Sequence, residues 1–230
     1  AVHGLNQEVN LDENWQVSFG FDQSQDLANS VLEDDELTST QDDYYAFSTG
    51  LGYRSPTWQW TNRVEYRESE STHKWNAATG LYRPIALGLA MGINAEYQLD
   101  QQTDSRTEFS QTELDIGLRP QGFGLAWLNQ TKIIEEVENS DDSNLVSRRI
   151  LNNTHVNMRW RTMQVSAQYG FKYVDETIDD IVYNGVIDLV GAQFRHHLTP
   201  TWDWGVQVQR LYDYELKDSR HSAGFSIGLI

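Results

Sequence analysis

The chain has 230 residues, no cysteine, 34 acidic against 17 basic side chains and a formal net charge of −17. That balance argues against a nucleic-acid partner, because phosphates repel an acidic surface, and the missing cysteines remove disulfides and thiolate metal sites. No apolar run reaches the ~20 residues of a membrane-spanning helix, yet a mean hydropathy of −0.60 suits a barrel in which only every second strand residue meets lipid.

Ala1-Val2-His3-Gly4 carries neither a basic nor an apolar leader region, as at a mature end after signal cleavage or at the boundary of an excised piece, and residues 1–12 are read as an N-terminal segment on the periplasmic side. From there the period is two. Tyr45, Phe47, Leu51 and Tyr53 alternate with Ala46, Ser48, Gly50 and Gly52, and Trp58, Trp60, Val64 and Tyr66 with Gln59, Thr61, Arg63 and Glu65. Ile85, Leu87, Leu89, Met91, Ile93, Ala95 and Tyr97 keep one face over thirteen residues, longer than the usual strand of a soluble sheet. Leu114, Ile116 and Leu118 continue the pattern, followed by Met163, Val165, Ala167, Tyr169, Phe171 and Tyr173, and then Ala223, Phe225, Ile227 and Leu229.

Twelve segments result: 13–22, 43–54, 57–67, 72–83, 85–98, 107–119, 122–135, 146–160, 162–174, 181–197, 201–213 and 219–230. In the 181–197 segment Asp188 interrupts the apolar face between Val186 and Val190, and a bulge is expected to restore the alternation. The expected fold is all-β, an up-and-down antiparallel transmembrane β-barrel occupying 1–230 as one domain. An even strand count puts both termini at the short-turn end.

Five tight reversals mark that end: Arg54-Ser55-Pro56-Thr57, Tyr82-Arg83-Pro84, Arg119-Pro120-Gln121-Gly122, Trp160-Arg161-Thr162 and Leu198-Thr199-Pro200-Thr201. The other end is read as long acidic loops. One carries Asp22, Asp26, Glu33, Asp34, Asp35, Glu36, Asp42 and Asp43, and a later one Glu135, Glu136, Glu138, Asp141 and Asp142. Neither has the spacing of a dedicated calcium loop, so no cofactor is expected beyond divalent cations bridging these loops. Trp58, Trp60, Trp160, Trp202 and Trp204 near the short turns, and Tyr66, Tyr97, Tyr173 and Tyr212 at the opposite ends, form two expected aromatic girdles.

The intervening positions are read as lining the lumen: Arg63, Glu65, Lys74, Glu96, Glu113, Asp115, Lys132, Arg149, His155 and Lys172. Mixed signs favour a salt-bridged network. His155 has no serine or aspartate at a triad spacing, so no catalytic residue is assigned and the chain is read as not an enzyme. His196 and His197 point to opposite faces of one strand and cannot share a metal.

Asp188-Leu189-Val190-Gly191, Arg195, Leu198-Thr199-Pro200-Thr201-Trp202-Asp203-Trp204-Gly205 and Ser222-Ala223-Gly224-Phe225-Ser226-Ile227-Gly228 resemble the closing strands of the C-terminal barrels of large repeat-bearing surface proteins of Gram-negative bacteria. The resemblance covers about 183–230. It implies a membrane anchor in the bacterial outer membrane, and relatives that continue further imply fourteen strands in a longer parent chain. The expected partners are outer-membrane lipids, lipopolysaccharide and the barrel-assembly machinery during insertion. The rival reading is a small passive diffusion channel with a polar, charged lumen.

Overall fold

The computed structural model describes residues 2–24, 43–141 and 143–229. Among them the chain forms thirteen strands and no helix. The first seven are β1 (Val2–Asn10), β2 (Trp15–Ser24), β3 (Tyr44–Arg54), β4 (Gln59–Ser69), β5 (Thr72–Ala86), β6 (Leu89–Gln102) and β7 (Ser105–Leu118). The remaining six are β8 (Leu125–Ser140), β9 (Asn144–Trp160), β10 (Met163–Ile178), β11 (Ile181–His197), β12 (Trp202–Asp213) and β13 (Asp218–Leu229). Their order in the sheet is their order in the sequence, so the topology is up-and-down, built from consecutive antiparallel hairpins.

Turn chemistry explains where the strands stop. The Asp12 carboxylate accepts from the backbone N–H groups of Asn14 and Trp15, both at 2.7 Å, and Asp213 does the same for Glu215 and Leu216 at 3.0 Å. Such carboxylates hold a reversal with a side chain in place of a ladder bond. At Asp179-Asp180 both residues have positive φ (48° and 67°), the two-residue turn whose twist matches a hairpin.

Four features differ from the sequence reading. First, there are thirteen strands where twelve were expected, because residues 2–10 pair with β2 from Val2↔Ser24 to Asn10↔Gln16. On one side of β1, His3 and Gln7 alternate with Leu5 and Val9, which dilutes the period. Among the described residues the count is therefore odd where an even one was expected, and β1 runs into the Leu11–Asn14 turn, leaving Val2 at the other end of the sheet.

Second, the reversal expected at Pro84 lies at Leu87-Gly88, with Gly88 at φ +77°. Lys74 meets Asp100, and a Cβ on Gly80 would meet Asn94, so residues summing to 174 face each other and Ile85 lies opposite Leu89. Three residues are consumed between them. An odd number preserves parity, so the alternation ran straight through the turn and concealed it. Third, the acidic loop expected around residues 135–146 is mostly strand: β8 runs to Ser140 and β9 resumes at Asn144. Asp26, Glu33, Asp34, Asp35, Glu36, Asp42 and Asp142 lie outside the described residues. Fourth, there is no bulge at Asp188. The pairs Tyr169↔Val190, Phe171↔Asp188 and Tyr173↔Val186 follow without interruption.

The residues fall into two compact units: Ala1–Leu81 with Asn94–Ser110 and Glu136–Leu145, and Tyr82–Ile93 with Gln111–Glu135 and Val146–Ile230. In the first, Val17, Phe21, Leu51, Phe47, Trp60 and Tyr66 share one face by register, and Ser18, Asp22, Gly50, Ala46, Thr61 and Arg67 share the other. In the second, Val165, Phe194, Val206 and Phe225 stand in one row, and Ser166, Gln193, Gln207 and Gly224 in the next.

These faces are buried the wrong way round for a protein with a hydrophobic core. Among the described residues Ala46 is the one buried hydrophobic side chain, at 4% exposure, whereas Ser24, Ser147, Ser166 and Asp203 are buried. Phe225, Ile227 and Leu229 are 64–75% exposed. A water-soluble sheet packs its apolar face against a second layer. Here small polar residues are enclosed, and the apolar face is bare.

Candidate functional site

The polar face carries the side chains that sequence parity assigns to a lumen. Arg63 meets Glu65 at 2.9 Å, and Arg67 approaches Glu65 at 3.9 Å. Lys74 pairs with Asp100, a partner the sequence reading did not single out. Glu96 accepts from Gln98 Nε2 at 2.6 Å. Glu113 accepts from Lys132 Nζ at 2.7 Å and from Gln130 Nε2 at 2.8 Å, with Asp115 two positions along the same face of β7. His155 does not meet these carboxylates. It lies on the same side of β9 as Asn157, which donates to Ser166 Oγ at 3.1 Å, and Arg149 shares that side. Lys172 on β10 stands opposite Ile187.

A second cluster escaped notice in the sequence. Asp203, 6% exposed, has its carboxylate 3.7 Å from Arg195 Nε and 3.8 Å from His197 Nδ1. A Cβ on Gly228 would press into that carboxylate, so the glycine makes the room for it. The polar parity of the Trp202-Asp203-Trp204 triplet was the available signal. His196, as alternation requires, faces the other way, 6.3 Å from the Trp204 ring.

The apolar face concentrates aromatic rings at its two ends. Near the short turns Trp15 stacks edge-on against Tyr53 at 4.9 Å and Trp60 at 6.4 Å, and Trp58 lies 4.4 Å from Tyr53. Trp60 Nε1 donates to Thr79 Oγ1 at 3.1 Å. In the second unit Trp204 packs on Phe194 at 5.3 Å, Trp202 is exposed, and Trp160 carries the Arg161 guanidinium 5.7 Å from its ring. Toward the far ends Tyr66 stacks on Trp75 at 4.6 Å, Tyr97 donates to Glu108 at 3.4 Å and Tyr212 meets Tyr214 edge-on at 4.7 Å. Tyr173 sits opposite Val186. At ~3.3 Å per residue, Trp204 and Tyr212 are ~26 Å apart along β12. A tilt of ~40° leaves ~20 Å of that along the membrane normal, against an apolar band of ~25 Å in an outer-membrane barrel.

Two polar groupings interrupt this apolar face. Asp188, which no bulge turns away, accepts from the Tyr214 hydroxyl at 2.8 Å. Tyr214 stands in the turn after β12, and the Asp188 carboxylate raises its phenol above the ordinary value of 10 by hydrogen bonding and charge. The other grouping is Asn129, Thr131, Asn152 and Thr154. Asn129 Nδ2 donates to Thr154 Oγ1 (2.6 Å) and Asn152 Oδ1 (3.3 Å), while Asn152 Nδ2 donates to Thr131 Oγ1 (2.8 Å) and Asn129 Oδ1 (3.3 Å). The two hydroxyls return bonds to the amide oxygens of Asn129 and Asn152. Every N–H and O–H of the four side chains is used, which is how a polar cluster survives among apolar neighbours. Asn152→Leu strands Asn129 and Thr131 and is expected to cost about 1–3 kcal/mol. Replacing all four together by Leu and Val is expected to be close to neutral, with guanidinium unfolding in lipid as the measurement.

No protein-family model matches the chain, and none of the curated proteins does. Among solved structures it is similar to OmpT (in-vitro folded), an outer membrane protein of Vibrio cholerae, at 8% identity and a TM-score of 0.47, over 99% of this chain and 87% of that one. It is also similar to the loop L8 deletion mutant of OmpT from Vibrio cholerae, at 9% identity and a TM-score of 0.46, over 99% of this chain and 88% of that one. The reading of the chain as not an enzyme is corrected at this point and withdrawn, because likeness to OmpT at 8–9% identity establishes neither an activity nor its absence.

Proposed function

We propose that this chain is a single β-barrel of the bacterial outer membrane and works as a membrane anchor. The observation that carries the reading is the inverted burial: small polar residues enclosed, and large apolar ones bare along a face bounded by aromatic rings. Hydrocarbon is the solvent that such a face fits, and a closed antiparallel barrel is the strand arrangement that survives in it. The aromatic ends are then the two interfacial girdles, and the polar face lines the lumen.

The anchor role draws on the lumen side chains satisfying one another. Glu65, Asp100, Glu113 and Asp203 each have a cation within 4 Å, a pattern of structural pairing. It also draws on the resemblance of 183–230 to barrels that hold large surface proteins. Basic residues near the short turns, Arg54, Arg83, Arg159 and Arg161, would meet anionic headgroups on the inner side. The acidic hairpins opposite would meet lipopolysaccharide through divalent cations.

Diffusion through the lumen is the second reading. It is favoured by Gln168, Gln193, Gln207 and Gln209, uncharged side chains around a cavity of about 50 Å3. Reconstitution in a planar bilayer separates the two. The anchor gives an electrically silent membrane after insertion, and stepwise ohmic conductance would transfer the assignment to a channel.

A further inference from the structure

A larger cavity lies on the polar face of the second unit, about 340 Å3 in volume and bordered by β5 to β9. Ala86, Ala90, Gly117 and Ala126 form its floor, because four small residues on neighbouring strands leave a depression where larger ones would fill the space. Tyr82 and Leu128 stand beside it with 46% and 51% of their surface exposed. On a face otherwise lined by amides and ion pairs, this is an apolar hollow, in the size range of small-molecule sites.

Two further side chains border it, Arg119 and His155. Arg63, Lys74, Lys132 and Arg195 each have a carboxylate within 4 Å. The Arg119 side chain has no such partner among the described residues, and neither has the His155 imidazole; Arg54, Arg83 and Arg159 are alike in this, but of these arginines Arg119 is the one that borders the cavity. A guanidinium remains charged under all ordinary conditions and binds carboxylates through two parallel hydrogen bonds. An arginine at the edge of an apolar hollow places a carboxylate-binding group beside a surface that suits an apolar body.

We infer that this cavity binds a small amphipathic acid, an aryl or short acyl body carrying one carboxylate. The apolar part covers Tyr82 and Leu128, the carboxylate meets Arg119, and His155 offers a second hydrogen bond. The inference rests on the barrel reading, since that makes the polar face a lumen through which such a molecule arrives.

The test uses the full chain in lipid nanodiscs, titrated calorimetrically with 4-phenylbutyrate and with its neutral counterpart 4-phenylbutanol, after subtraction of heats from empty discs. The expected result is saturable binding of the acid, at least tenfold tighter than the alcohol. Arg119→Gln weakens the acid at least tenfold and leaves the alcohol unchanged, while Arg119→Lys retains part of the preference. Absence of saturable acid binding overturns the inference, as does equal binding of acid and alcohol by the unmodified chain, which needs no variant to fold. Incorporation into the discs, followed by heat-modifiable migration on gels, reports separately on the barrel. Insertion without binding defeats this inference alone, and failure to insert defeats both.

Discussion

Gly124→Ala destabilises the sheet by about 3 kcal/mol or more, at the upper end of overpacking costs. Gly124 closes the β7–β8 connection, and its carbonyl accepts the backbone N–H of Arg159 from the end of β9. A Cβ at this position would collide with the Arg159 carbonyl oxygen, a backbone atom that no rotamer change can move. The methyl group therefore separates two hairpins at the point where their register is set, and the Arg159 bond is lost with it. Gly122, two residues earlier, serves as the control. It has φ +77°, and a Cβ added there would meet nothing within 4 Å, so Gly122→Ala incurs only the left-handed backbone penalty of about 1–2 kcal/mol. Guanidinium unfolding of the lipid-embedded protein, read by tryptophan fluorescence, measures both.

Val208→Arg is expected to cost about 2–4 kcal/mol, the penalty for a cation near the middle of the lipid face of a membrane barrel. Val208 lies between Ala192 and Ala223 in register, midway along β12 from Trp204 to Tyr212. Gln207→Arg, one residue back and facing the opposite way beside Gln193 and Gly224, should stay within about 1 kcal/mol. On a water-exposed sheet the order has no reason to appear, because a surface valine accepts arginine within about 0.5 kcal/mol. The contrast between adjacent positions distinguishes lipid from water without reference to any partner.

Which side chains share a face was legible in the sequence, because that needs only parity. Arg63 with Glu65, Glu113 with Lys132, and the Trp60 and Tyr66 ends of β4 all follow from it. Depth along the barrel was less legible, since two strands of correct parity can slide by two residues without disturbing the pattern. That is why Asp100 was not seen as the partner of Lys74, nor Arg195 and His197 as those of Asp203. Parity also misled where a turn consumed three residues, at Ile85 to Leu89, and where polar residues diluted it, in β1. Composition misled at residues 135–140, where glutamates that resemble a solvated loop continue β8. The Asn129/Asn152 cluster was invisible for another reason: four polar residues on an apolar face look like errors of register until their mutual bonds are known.

If every second side chain of these strands lies in hydrocarbon, the absence of native cysteine permits a direct measurement. Single cysteines at Ala192, Val206, Val208 and Phe225, and at the alternate positions Gln193, Gln207, Gln209 and Ser226, are spin-labelled in liposomes. Their relaxation by oxygen, which concentrates in lipid, is compared with relaxation by a water-soluble nickel chelate. Strong oxygen relaxation is expected at the first set and weak at the second, alternating along β12 with a period of two. Comparable nickel access at Val206, Val208 and Phe225, or no alternation between Val206 and Gln209, would contradict it.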